Sequence, residues 1–145
     1  MSISPGTWPS RSRSNSAARR LVIISIGIDT VHIPRFTTII ERRPTIVDRL
    51  FTAQESCHPA DGRRRGASSL AARFAAKEAV AKALGAPGGL HWHDCLILTD
   101  ESGRPRVEVT GTVAAAAASQ GIDRWHVSLT HDGDYAVAQV VTEGV

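Results

Sequence analysis

Glu78 and Lys82 stand four residues apart, and the only other lysine in the chain, Lys77, lies in the same stretch. On a helix, residues at that spacing are neighbours, so a carboxylate and an ammonium would point the same way. With about 100° per residue, Leu70, Phe74, Ala81 and Leu84 fall on one face. Glu78 and Lys82 share its flank with Ala71 and Ala75. Small side chains beside a charged pair would let a bulky polar ligand lie against the helix. Read as an ordinary surface pair, the two charges contribute only ~0.3–0.5 kcal/mol. Asp29 is the second carboxylate of interest. It closes the apolar run Leu21 to Ile28, within Gly27-Ile28-Asp29. A carboxylate ending a buried strand is well placed to hold a metal, although a turn aspartate has the same appearance in sequence. Mg²⁺ takes one or two protein carboxylates and completes its octahedron with phosphate oxygens and water. Asp29 and Glu78 would supply those two.

A third segment, Val127 to Asp132, ends in a hydroxyl, an imidazole and a carboxylate: Ser128, His131 and Asp132. The Ser-His-Asp order suggests a hydrolase, but no nucleophile elbow is present and the three are crowded onto one strand end. His91 and His93 alternate onto one face without a third ligand at a recognised spacing. Arg63-Arg64-Arg65 is a short basic run, suited to solvation or to attracting phosphate or an acidic partner.

These groups need elements to position them. Residues 1–20 are rich in Ser, Arg, Gly and Pro without apolar periodicity, which predicts a flexible extension ahead of a folded domain over 21–145. An acid-free, Arg- and Ser-rich start also fits an organellar transit peptide, but no amphipathic pattern accompanies it. The run from Leu21 reads as a buried strand. Pro34 opens a helix over about 34–43, and Pro44 restarts the chain into a second. Thr52 with Glu55 three residues on is a capping-box pattern, so a third helix begins near 53. The longest helix spans 68–84 and is stopped by Gly85 and Pro87. Strands follow over 94–99 and 106–110, then an Ala-rich helix over 112–120. A hairpin of strands 125–130 and 135–141 closes the chain. The order predicts an α+β fold with one small, largely antiparallel sheet.

Composition excludes several classes. At 145 residues, 42% apolar and 21% charged, this is one globular domain. No run approaches the ~20 apolar residues of a membrane span. Cys57 and Cys95 form no CxxC, which argues against a disulfide framework or a cysteine zinc site. Aromatics at 5% are too sparse for a base-stacking platform. The net charge of +3 comes from four arginines in the first 20 residues. The body carries 13 basic and 14 acidic residues, which disfavours a nucleic-acid binder.

Taken together, the segments resemble the holo-acyl-carrier-protein synthase family of phosphopantetheinyl transferases. Ile26-Gly27-Ile28-Asp29 with Arg35 is similar to the family's opening GxD…R. Phe51-Thr52-Ala53-Gln54-Glu55 is similar to FTxxE, and Phe74 to Gly85 to (F/W)xxKExxxKxxG. Trp92-His93-Asp94 with Gly103-Arg104-Pro105 resembles the central strand pair. Val127-Ser128-Leu129-Thr130-His131 resembles the closing hVSlSH, with Thr130 where many relatives carry serine. The matches run in family order over about residues 23–141; the extension lies outside the pattern.

The resemblance implies transfer of the 4′-phosphopantetheine arm of coenzyme A to a serine of apo acyl carrier protein, releasing adenosine 3′,5′-bisphosphate. It implies Mg²⁺ on Asp29 and Glu78, with Lys82 on the pyrophosphate. Arg73 and His131 would meet the coenzyme A 3′-phosphate, with Ser128 as a hydrogen-bonding neighbour and Gly103-Arg104-Pro105 near the adenine. Arg35 would face the acidic helix of the carrier, aided by Arg42 and Arg43. The serine proton would go to Glu78 through a bound water or to a carboxylate near His131; the sequence leaves both open. The carrier is either a discrete protein or a domain of a larger fatty-acid or polyketide synthase. A cytoplasmic homotrimer with sites between protomers is the implied assembly. A non-catalytic coenzyme A or carrier-binding module is the alternative, disfavoured by retention of Asp29, Glu78 and Lys82.

Overall fold

A computed structural model describes residues 19–145. The extension predicted over residues 1–20 lies outside them, apart from the exposed Arg19 and Arg20. The chain opens with β1 (Val22–His32), followed by helices α1 (Ile33–Arg42), α2 (Thr45–Leu50) and α3 (Ala53–Ser56). The long helix α4 (Ala67–Ala83) comes next, then a 3-10 turn at Trp92–Asp94 and the hairpin β2 (Cys95–Thr99) and β3 (Pro105–Val109). Helix α5 (Gly111–Ser119) leads into β4 (Arg124–Asp132) and β5 (Tyr135–Gly144). The α+β order matches the expectation, with boundaries shifted by a residue or two at most helix ends.

Two departures concern strands. The described residues form two separate sheets rather than one: β1-β5-β4 and β2-β3, both antiparallel. In addition, β1 does not end at Asp29. Its partner keeps pairing, from Asp29↔Ala138 to His32↔Tyr135, so Asp29 sits within the strand. The same pairing carries β4 through His131 to Asp132, which leaves only Gly133-Asp134 as the turn, with Gly133 at φ +55°.

Helix α4 packs on one face of the three-stranded sheet. Ala71, Ala75, Ala76 and Ala79 are fully buried against it. The Ala71–Ala75 flank therefore faces the sheet, and the expectation that it lies open to a ligand is corrected. Small side chains here let the strand approach the helix axis. Gly27 is the extreme case: a Cβ there would overlap the Ala79 carbonyl oxygen and lie 2.9 Å from Ala83 N.

Among the described residues, the other face of the sheet has no layer over it. Strand alternation puts Ile26 and Ile28 on that side, 58% and 56% exposed. The expectation of a buried β1 holds for Gly27 and Val31 and fails for the isoleucines, because a sheet with one helical layer buries only alternate residues.

A buried ion pair ties the second sheet to α4. The Lys77 ammonium lies 2.8 Å from Glu55, with both side chains almost wholly inaccessible. It also donates to the Trp92 carbonyl at 2.9 Å. The same carboxylate caps α3 by accepting from Thr52 N at 2.8 Å, and holds β2 through Ile97 N at 3.0 Å. Removing one partner strands a charge, so Lys77→Met should cost about 3–5 kcal/mol. Urea unfolding would show this as a lower midpoint, and Glu55→Leu in the same chain should recover only part of it, because Thr52 N and Ile97 N then lose their acceptor.

Candidate active site

Asp29 projects from the covered face of β1 toward α4, and its side chain is 17% exposed. Lys82, on the exposed edge of α4, donates from Nζ to Asp29 Oδ1 at 2.7 Å and to the Ile28 carbonyl at 3.1 Å. Glu78 lies one helical turn earlier on the same edge. Burial, followed by the Asp29 charge, pushes its carboxyl above the ordinary range, against a smaller opposing pull from Lys82. The hydrogen bond to Asp29 holds the Lys82 ammonium above its usual range. Two carboxylates that repel each other, with a cation already against one of them, form a site that gains by taking up positive charge. The donors are hard oxygens and only two in number. That suits Mg²⁺ sharing its shell with a phosphorylated ligand and water, rather than an all-protein cage. No cluster of three or more metal-binding side chains occurs among the described residues.

Beside Glu78 lies a cavity of about 260 Å³, walled by Ala81, Pro87, Leu90, Trp92 and Val113. Trp92 joins this wall to a row of rings. Phe74 packs 5.6 Å from Phe36 on one side and 5.6 Å from Trp92 on the other.

A second cavity, about 280 Å³, opens on the other flank of α4. Arg73, Thr99, Pro105, Leu129 and His131 line it. Arg73 is buried. It donates to Ser69 Oγ at 2.7 Å and to Thr99 Oγ1 at 3.0 Å, while its Nε has no partner. Burial, then the nearby Arg65, lowers its pKa to about 10, against a weaker pull from Glu55. A buried guanidinium that lines a cavity, with a second guanidinium nearby, suits an anion.

Arg65 is the residue that sequence reasoning missed. Arg63-Arg64-Arg65 read as one short basic run, suited to solvation or to attracting phosphate or an acidic partner with no residue singled out, but the loop divides it. Arg64 pairs with the exposed Asp48 at 3.0 Å. Arg65 turns inward, donating to the Glu55 carbonyl at 3.0 Å and to Thr99 Oγ1 at 3.5 Å, so it meets Arg73 at one hydroxyl. The isolated bridge Cys57↔Arg64 makes the loop a tight return, which sets this split.

Asp29, Glu78 and Lys82 are thus brought together, as are Arg73 and His131. Ser128 does not join the second pair. It lies an odd number of residues from His131, so strand alternation sends it to the opposite face, beside Gln139 and Ile28. Arg35 stands exposed in the first turn of α1, with Arg42 and Arg43 exposed at its far end. The Gly103-Arg104-Pro105 turn borders the anion cavity through Gly103 and Pro105. His93 donates from Nε2 to the Asp48 carbonyl at 2.7 Å and serves as a strut between α2 and the 3-10 turn.

The model of the 4′-phosphopantetheinyl transferase superfamily matches residues 25–140, and the chain belongs to that superfamily. Within it, the relatives at high identity are holo-[acyl-carrier-protein] synthases. That of Streptomyces avermitilis is 60% identical over 122 residues, covering 84% of this chain and 98% of the relative. That of Salinispora arenicola is 57% identical over 122 residues, covering 84% and 99%. Among solved structures, the acyl carrier protein synthase of Mycobacterium tuberculosis superposes with a TM-score of 0.66 at 38% identity, over 86% of this chain and all of that one. The Helicobacter pylori holo-[acyl-carrier-protein] synthase in complex with coenzyme A gives 0.69 at 29% identity, over 81% and 98%.

Proposed function

We propose that this chain transfers the 4′-phosphopantetheine arm of coenzyme A to a serine of apo acyl carrier protein, releasing adenosine 3′,5′-bisphosphate and supplying fatty-acid synthesis in the cytoplasm. The carrying observation is the convergence of Asp29, Glu78 and Lys82 along one edge of α4, where Glu78 also lines a cavity, with a separate guanidinium site on the other flank of the helix. Coenzyme A has this layout: a pyrophosphate in the middle, a pantetheine arm on one side and a 3′-phosphate on the other.

Asp29 and Glu78 would hold Mg²⁺, which offsets pyrophosphate charge when bound. Lys82 leaves Asp29 for the pyrophosphate and stabilises the charge that builds on the departing phosphate. Arg73, Arg65 and His131 anchor the 3′-phosphate, which fixes the length of coenzyme A along α4. The arm lies in the cavity walled by Leu90 and Trp92. The serine oxygen bonds to the phosphorus bearing the arm as the bond to the bridging oxygen breaks. The hydroxyl proton passes to a carboxylate at the site, with Glu78 the nearest candidate. Positioning and electrostatics suffice for this chemistry. Arg35, backed by Arg42 and Arg43, meets the acidic face of the carrier and speeds its association.

The assembly in this reading is a homotrimer with sites in clefts between protomers. Its support is the uncovered sheet face, where Ile26 and Ile28 are exposed beside Val141 and Gln139. Ser128 emerges on that face, so it would act at a cleft formed with a neighbour. Ile26→Lys should convert the trimer to monomer by light scattering and lower transfer activity with it; an unchanged mass would refute this face as the contact.

The direct test is incubation with coenzyme A, Mg²⁺ and apo carrier, followed by intact mass spectrometry of the carrier. A gain of one phosphopantetheine, abolished by chelator, is expected. No gain with either a discrete carrier or a synthase carrier domain would overturn the reading.

A further inference from the structure

The β1–α1 corner joins the strand that carries Asp29 to the helix that carries Arg35. Helix α1 has a short list of N-terminal donors to satisfy. Ile33 N donates to the Asp134 carbonyl at 2.7 Å. Pro34 has no N–H. Arg35 N donates to His32 Nδ1 at 3.3 Å. No acidic side chain lies in the first turn. The His32 ring is therefore the side-chain cap of this helix, and the amide it holds belongs to Arg35 itself. The ring is in turn fixed from outside the helix. His32 pairs with Tyr135 at the last rung of β1 and β5, and their rings meet edge-on at 5.3 Å. The backbone bond from Ile33 fastens the same corner to the turn between β4 and β5.

We propose that His32 is a positioning residue for carrier docking. By capping α1 through the Arg35 amide, it fixes the helical turn from which the Arg35 side chain departs, in register with Asp29, which lies three residues before His32. Imidazole replaces the usual Ser, Thr, Asp or Asn at this position. Its ring reaches both the amide and Tyr135, which a shorter cap would not. The inference rests on the reading of Arg35 as the carrier contact, and the experiment separates the two.

Steady-state kinetics would be measured on the full-length protein with coenzyme A and apo carrier for His32→Ala, His32→Phe, His32→Asn, Arg35→Ala and the His32→Ala/Arg35→Ala double variant. His32→Ala should raise KM for the carrier about fivefold, the size of a lost cap, with kcat and the KM for coenzyme A unchanged. His32→Phe keeps a ring against Tyr135 without the acceptor and should behave like alanine. His32→Asn restores an acceptor and should recover most of the affinity. In the Arg35→Ala background, His32→Ala should add nothing. An unchanged carrier KM in His32→Ala overturns the proposal, as does an equal effect in the Arg35→Ala background or a loss confined to kcat. An unchanged carrier KM in Arg35→Ala would instead remove the docking reading, and the proposal with it.

Discussion

Glu78→Gln is expected to abolish transfer while leaving the fold at least as stable. Even outer partners of metal ligands contribute about 10–100-fold to affinity or activity, so loss of a direct ligand should lower kcat/KM by more than about 100-fold. The stability effect has the opposite sign. Burial and the Asp29 charge raise the Glu78 pKa in the folded state. A carboxyl raised in this way favours folding below its unfolded pKa, and that contribution disappears as pH rises through the folded value. At pH 7–8 the ionised group is therefore a cost in the absence of a cation, and glutamine removes it. Thermal melts should give the variant a Tm equal to or above the parent without Mg²⁺, with the difference vanishing near pH 4. Saturating Mg²⁺ with coenzyme A should raise the parent Tm and leave the variant unmoved. A fully active Glu78→Gln protein, or one with the parental response to Mg²⁺, would exclude the metal assignment.

Gly27→Ala should damage both the packing of β1 on α4 and the site that this packing positions. The added Cβ would overlap the Ala79 carbonyl oxygen and crowd Ala83 N at 2.9 Å, and both are helix backbone that cannot rotate aside. Either β1 or α4 must shift, at about 1–3 kcal/mol for overpacking. The functional cost is larger, because the contact sets the gap across which Asp29 faces Glu78 and Lys82. A displacement of about 1 Å at such a site costs on the order of 100-fold. Urea unfolding should show a lower midpoint, and kcat measured well below that midpoint should still be depressed. Gly88→Ala is the control: nothing lies within 4 Å of its Cβ and its backbone is unstrained, so activity and stability should match the parent. Parental kcat in Gly27→Ala would show that the strand–helix distance does not govern the site.

These two positions divide what can be read along the chain from what cannot. Glu78 and Lys82 were legible because i and i+4 on a helix are neighbours whatever the helix packs against. Asp29 joined them as a carboxylate closing an apolar run and then through a motif, while its true setting, inside β1 rather than at its end, depended on how far β5 pairs. Gly27 was seen only as part of that motif. Its φ is ordinary, so no backbone rule demands glycine there; the demand comes from a carbonyl 52 residues away in sequence. The capping box of Thr52 and Glu55 was found from spacing. That the same carboxylate is the buried partner of Lys77 was not, because an ion pair spanning 22 residues leaves no periodic trace.

Sequence by itself determined the element order, the α4 charge pair and the arginine and histidine that line the anion cavity, since each rests on local periodicity, capping or chain-order motifs. Tertiary structure alone decided that the sheet is covered on one face and bare at Ile26 and Ile28, that Arg65 turns inward while Arg64 stays out, and that Ser128 parts from His131. The physical reason is the range of the interaction. Helix and strand patterns follow from bonds and side-chain directions repeated within a few residues, whereas burial, charge pairing and close backbone approach are set by whichever distant segment the fold brings alongside.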